Sequence, residues 1–405
     1  MLAVHPSPDG SGAVQGRRIA VTGLGVVSSC GVGRDAYWQG LLGPAPDGPR
    51  RIVDFDATSV YGPKDIRRVD RFTQFAAVAA EEAISDAGGV SAIGADPDRI
   101  GVIVGTGVGG IETLEEQIIV RLERGPRRVS PFLVPMMMGN RGAADISMRY
   151  GFRGPCEATV TACAAGTHSV SNGARLVATG RCDVVIAGSA EAAMTETSIA
   201  GFSNMTALST SGVSMPFDAK RDGFVMGEGG AILVLEDYDR AVERGAKIYA
   251  EILGAASSAD AHHITAPAPG GTGAVACMEL ALLDAGVGAA EVTHVNAHGT
   301  STPANDLAES QAIVKVFGSP GPAVTSIKGI TGHSLGAAGS LEAVALALTI
   351  ERGFIPPTAG LTEQDPEIPI DIVTGEGRVW APAPALSNSF GFGGHNGTLV
   401  MGPAS

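Results

Sequence analysis

Apolar residues follow two rhythms along this chain. Short continuous runs end at glycine or a small polar residue, and longer stretches with helical spacing follow them. Residues 18–23 (RIAVTG) form the first run, and residues 73–87 have the Ala/Glu content and spacing of a helix. Residues 100–105 and 182–188 read as further strands. These runs are apolar throughout instead of alternating, so both faces are buried and they belong to central sheets covered by helices. The second half repeats the rhythm, with strands at 294–297 and 323–326 and helices at 305–317 and 339–352. The pattern predicts an α/β fold of two similar halves divided near residue 250. No stretch of identity between them is long enough to prove a repeat.

At 405 residues the chain exceeds what one hydrophobic core organises. Its 57 glycines and 17% charged residues suit an interior in which backbones approach closely. A formal net charge of -14 would repel nucleic acid, so any anionic partner needs a local basic patch. The five cysteines are odd in number, widely spread and without a CxxC pair, which predicts a reduced, cytoplasmic protein. No apolar run is long enough to span a bilayer, and solubility is expected. Residues 1–17 lack a signal-like basic and apolar pattern and read as a flexible lead-in.

Three segments carry candidate chemistry. Cys163, in Thr161-Ala162-Cys163-Ala164-Ala165-Gly166-Thr167-His168, sits between an extended stretch and a predicted helix over 164–178. A helix N-terminus favours thiolate, and small neighbours leave room for a thioester. His298, in Asn296-Ala297-His298-Gly299-Thr300-Ser301-Thr302-Pro303, leaves a strand end, where α/β enzymes place function. Lys328 and His333 share the glycine-rich Lys328-Gly329-Ile330-Thr331-Gly332-His333-Ser334-Leu335-Gly336, ahead of a helix bearing Glu342. Taken singly, the cysteine also reads as a buried structural thiol and each histidine as a structural imidazole.

Together the three segments resemble the β-ketoacyl-[acyl-carrier-protein] synthases, specifically the elongating type II class, from about Arg18 to Gly402. Further matching stretches are residues 105–110 (GTGVGG), 216–218 (PFD), 221–224 (RDGF) and 388–396 (NSFGFGGHN). The resemblance implies a thiolase-like αβαβα five-layer sandwich of two similar halves, 18–250 with the nucleophile and 251–405 with the two histidines. It also implies an acyltransferase of fatty acid synthesis, normally a homodimer, that needs no cofactor beyond the carrier's phosphopantetheine. By that resemblance Cys163 takes the acyl chain, and His298 and His333 hold the malonyl thioester carbonyl while CO2 leaves. Neutral imidazole N–H donors stabilise the resulting enolate. Lys328 and Glu342 match a buried pair that would position His333. The backbone N–H groups of Cys163 and Phe392 would form the oxyanion hole, with Phe392 as a gate on the flexible Gly391, Gly393 and Gly394.

The resemblance further assigns Thr300 and Thr302 to the phosphopantetheine arm. It assigns Val108, Leu133, Val134 and Phe202 to the acyl channel, partly across a dimer interface. Two basic stretches, Lys64, Arg67, Arg68, Arg71 and Arg124, Arg127, Arg128, match docking regions for the acidic acyl carrier protein. Three departures stand out: residues 208–216 are shorter than the family's loop, Thr206 replaces a frequent carrier-binding arginine, and Asn305 a frequent glycine. Asn305-Asp306 also occurs in some polyketide ketosynthases. A type II polyketide or polyene ketosynthase, paired with a chain-length factor, is therefore the competing reading. A non-catalytic chain-length factor would usually lack the cysteine. Pairing of His294 with His298, or His262 with His263, at a metal is disfavoured, because a strand followed by a turn does not align ligands as a helix does.

Overall fold

The structure is a computed structural model and describes residues 3–6 and 13–404. The lead-in expected over 1–17 lies partly outside the described residues, and Ala3–Pro6 pairs antiparallel with Ala13–Gln15.

The central strand Ile19–Ser28 is buried along its whole length, which explains its unbroken apolar run. On one side it pairs antiparallel with Gly229–Asp237, which is followed by Val184–Glu191, Ile100–Gly105 and Cys156–Glu157. On the other side it meets Ala250–Ala259, followed by His395–Gly402, Ala385–Gly391, His294–Asn296 and Ala323–Thr325. From the centre outward, each half runs through two antiparallel pairings and then two parallel ones, and the second half adds a third parallel pairing, of Ala323–Thr325 with the edge strand Asp371–Ile372. Identical order and orientation make the halves structural repeats, although their sequences do not reveal it.

Helices Ala165–Ala178 and Ala338–Arg352 pack against strands of both halves and form the middle layer. Ala338–Arg352 is buried from Ala338 through Ile350, as expected of a helix apolar on every side. Helices Arg71–Asp86 and Arg141–Tyr150 cover the outer face of the first half, and Thr272–Ala285 with Pro303–Phe317 that of the second. The result is the five-layer αβαβα arrangement. Its hydrogen bonding is continuous, because Ile19–Val21 pairs with Ala250–Ile252.

The middle helices approach closely near their N-terminal ends. A Cβ on Gly166 would come within 2.4 Å of the Ser340 backbone nitrogen, so any larger residue would force the helices apart. They are equivalent elements of the two halves, and Cys163 and His333 lie just ahead of them. The repeat thereby brings residues 170 positions apart to one point. Among the described residues, no helix is long and apolar enough to cross a membrane.

Candidate active site

The chain turns into the helix Ala165–Ala178 through Ala162, whose φ of 49° is left-handed. A residue with a Cβ takes that conformation only when its surroundings impose it. Cys163 follows, buried, with the backbone N–H groups of Phe392 and of Cys163 itself directed at its sulfur. His333 Nε2 lies 3.0 Å from Sγ. Burial nevertheless pushes the thiol from its ordinary 9.0 to about 11, against the pull of the Phe392 N–H and Lys328. That rise is worth about 3 kcal/mol, whereas a helix N-terminus typically supplies about 1 kcal/mol or less. Burial thus favours the neutral thiol over the thiolate expected from the helix position.

His298 emerges from the strand His294–Asn296 and is buried. Its ring lies 5.3 Å from that of His333, nearly perpendicular to it. Burial holds both imidazoles well below their ordinary range, and the nearby Lys328 ammonium adds to this, so both are neutral. Lys328 is buried and ion-paired with Glu342, whose carboxyl burial pushes up to about 7. The ammonium also donates to the His298 carbonyl at 2.5 Å and to His298 Nδ1 at 3.3 Å. Donation to Nδ1 leaves the His298 proton on Nε2. This corrects the sequence expectation: the Lys328–Glu342 pair positions His298, while His333 contacts the cysteine.

These groups open onto one cavity of about 410 Å³ lined by Cys163, His298, His333, Val108, Phe202 and Phe392, among others. Thr300 and Thr302 line it as well, their hydroxyls 2.9 Å apart. A buried thiol, two neutral imidazoles and backbone donors converging on the sulfur suit acyl transfer followed by chemistry at a carbonyl.

Comparison with known proteins agrees with this geometry. Residues 49–241 match the family "Beta-ketoacyl synthase, N-terminal domain" and residues 249–362 match "Beta-ketoacyl synthase, C-terminal domain". The chain belongs to the β-ketoacyl synthase family. It is 45% identical to a 3-oxoacyl-[acyl-carrier-protein] synthase 2 of Synechocystis, covering 95% of this chain and 98% of that protein. A protein of the same name from Staphylococcus aureus is 43% identical, with 96% and 98% covered. Among solved structures, the ishigamide ketosynthase/chain length factor superposes with a TM-score of 0.90 at 35% identity, covering 96% and 100%. A β-ketoacyl synthase from Burkholderia phymatum gives 0.88 at 33%, with the same coverage.

Other expected residues of this β-ketoacyl synthase divide. Leu133 and Val134 lie on the short helix Leu133–Met137, outside the cavity of this chain, with Val134 exposed. Lys64, Arg67, Arg68, Arg124, Arg127 and Arg128 are exposed, and the Arg68 guanidinium lies 4.7 Å from the ring centre of Phe132, four residues beyond Arg128. Arg71 does not join them. It is half-buried and ion-paired at 2.8 Å with the buried Glu228, so it is a structural residue and not a docking one. The short loop is fastened by Asp222, which accepts from Ser209, Thr210 and Ser211 and is held down at about 2 by those donors, against the opposing effect of burial. Asn305 lines the cavity and donates to Asp306 at 3.2 Å.

Glu309 was missed. Its carboxylate accepts from the N–H groups of His298 and Gly299, both at 2.8 Å, and fixes the loop that carries the histidine. The signal was present: Asp306 and Glu309 share a helix face with the apolar Ala312 and Ile313, and all four are buried. His294 is separate from the site, its Nδ1 2.9 Å from the Ala323 carbonyl. His263 Nδ1 accepts from the backbone of Thr265 and Ala266. Among the described residues, no cluster of His, Cys, Asp or Glu could hold a metal ion.

Proposed function

We propose that this enzyme is an elongating 3-oxoacyl-[acyl-carrier-protein] synthase. The observation that carries the reading is the 3.0 Å contact of Cys163 with His333 beside a second neutral imidazole, in a cavity with an apolar wall. The Cys163 sulfur attacks the thioester carbonyl of an acyl carrier, and its proton passes to the departing carrier sulfur, so that both imidazoles keep their N–H. The N–H groups of Cys163 and Phe392 hold the tetrahedral oxyanion. The carrier's C–S bond breaks, and the free carrier leaves with the proton on its thiol.

Malonyl-carrier then binds with its thioester carbonyl between His298 and His333. The C–C bond to the carboxylate breaks, CO2 leaves, and the imidazoles stabilise the enolate oxygen. The nucleophilic carbon attacks the acyl-cysteine, Cys163 leaves as thiolate, and a 3-oxoacyl chain two carbons longer remains on the carrier. Every catalytic group is on this chain, so the reading requires no cofactor.

A carrier protein docks on the Arg67/Arg68 and Arg127/Arg128 patch, whose charge opposes the net -14 of the chain. Val108, Val134, Met138, Ile118 and Leu122 are all exposed apolar residues, and this supports a second subunit covering them. A second copy is the simplest occupant. One solved neighbour is a type II polyketide carrier protein in complex with its ketosynthase, which keeps polyketide extension as the competing substrate class. The higher identity to the synthases named above favours the fatty acid branch.

Mass spectrometry of the purified enzyme with acyl carriers of graded length, followed by malonyl-carrier, tests the reading. Saturated chains should load Cys163 and extend without another protein, and Cys163→Ala should take no chain. Extension only of polyketide or polyene chains, or only with a second kind of subunit, would overturn the fatty acid assignment.

A further inference from the structure

Glu191 closes the strand Val184–Glu191 and is fully buried, yet no ion pair reaches it among the described residues. Hydrogen-bond donors alone hold its carboxylate. They are the N–H of Gly107 at 2.6 Å, the N–H of Val108 at 3.4 Å, the Thr106 hydroxyl at 3.0 Å and the N–H of Gly336 at 3.1 Å. Burial pushes the carboxyl up to about 7 even with these donors opposing it. A dry carboxylate without a cation is costly, and its location is therefore informative.

Three of the donors belong to the segment that ends at Val108, a wall of the cavity around Cys163. The fourth lies three residues beyond His333. The two backbones touch here: a Cβ on Gly336 would come within 2.1 Å of the Gly107 nitrogen. Glu191 thus gathers N–H groups from two loops that no sheet or helix joins, and those loops serve different halves of the reaction.

We propose that Glu191 is a positioning residue that locks the Val108 wall of the acyl cavity to the loop carrying His333. The lock keeps a long acyl chain aligned with Cys163 while His333 stays aimed at the malonyl carbonyl. Glu191 hydrogen-bonds to neither reacting centre, and its charge acts on the Cys163 thiol only at a distance, pushing it up for short and long chains alike. The proposal rests on the condensing reaction described above.

The test compares wild type with Glu191→Gln, Glu191→Asp and Thr106→Val. Gln keeps the shape but turns an amide N–H toward the N–H donors, whereas Thr106→Val spares the carboxylate and removes one of its donors, together with the acceptor of the Gly109 N–H at 3.1 Å. Two rates are followed: acylation of Cys163 by two-carbon and long-chain acyl carriers, and CO2 release from malonyl-carrier. Failure of the wild type in both would overturn the condensing reading and leave no role for Glu191 to perform.

For Glu191→Gln, long-chain acylation and CO2 release should each fall about tenfold or more. Two-carbon acylation and the malonyl-carrier KM should stay within about threefold. Glu191→Asp should recover part of both losses, and Thr106→Val should show the same pattern on a smaller scale. Equal loss with both chain lengths, in step with the loss of folded protein, would mean a merely structural role and overturn the proposal. So would loss of one rate with the other unchanged. Should Glu191→Gln not fold, Thr106→Val decides: a wild-type chain-length ratio with wild-type CO2 release overturns the lock.

Discussion

Replacing Lys328 with Met separates the two histidines. The ammonium serves Glu342, the His298 carbonyl and His298 Nδ1, and it is 1% exposed, so water cannot take its place. Lys328→Met removes the donor that keeps the His298 proton on Nε2. A hydrogen bond to a charged group is worth about 1.5–3 kcal/mol, which corresponds to about a ten- to hundredfold fall in decarboxylation. Stranding a buried carboxylate would normally cost about 3–5 kcal/mol. Glu342 already titrates at about 7, however, so without the ammonium it takes a proton at neutral pH and most of that cost is avoided. The variant should therefore fold. Single-turnover acylation of Cys163 should fall less than CO2 release: the thiol loses the downward pull of the Lys328 charge, but His333 and not His298 touches the sulfur. The assay is CO2 release from malonyl-carrier beside mass-spectrometric acylation of the same preparation. A fall confined to acylation, or equal in both steps, would refute the assignment of Lys328 to His298.

Three further outcomes are expected. The folded site raises the Cys163 thiol to about 11 and keeps both imidazoles neutral, so the reactive thiolate becomes more abundant as pH increases. Peptide-resolved alkylation of Cys163 should then rise about tenfold per pH unit between about pH 7 and 10, and a plateau near neutrality would show that the His333 contact holds a thiolate instead. Arg67→Glu and Arg127→Glu should raise the KM for acyl carriers in a salt-dependent way with melting unchanged. Arg71→Ala should instead lower the melting temperature, because it strips buried Glu228 of its partner at a cost of about 3 kcal/mol. The opposite pattern would return Arg71 to the docking surface.

Much of the layered fold was legible locally. Residues 100–105 were predicted as a strand and form one with those bounds, and the helix predicted over 73–87 is Arg71–Asp86. The shift at its start comes from Asp70, whose side chain caps the Phe72 N–H two residues earlier than the apolar spacing suggested. The last strand pair, Ala385–Gly391 with His395–Gly402, was recognised only as a motif, because its glycines and serines hide the strand pattern. The short strand Cys156–Glu157 was missed because both of its residues are exposed, so no apolar run marks it.

By itself the sequence determined several of the strands and helices, that those apolar strands are buried on both faces, and which segments can carry a thiol and imidazoles, because periodicity and local turn chemistry are short-range properties. Tertiary structure alone decided who touches whom. The equivalence of the two halves, written in strand order and not in residue identity, brings Cys163 to His333. Side-chain reach assigned Lys328 to His298 and Arg71 to Glu228. Burial favoured the neutral Cys163 thiol against the helix terminus and made Glu191 and Glu309 into buried anchors. Desolvation and distance depend on atoms brought together from across the chain, so no local reading of residues contains them.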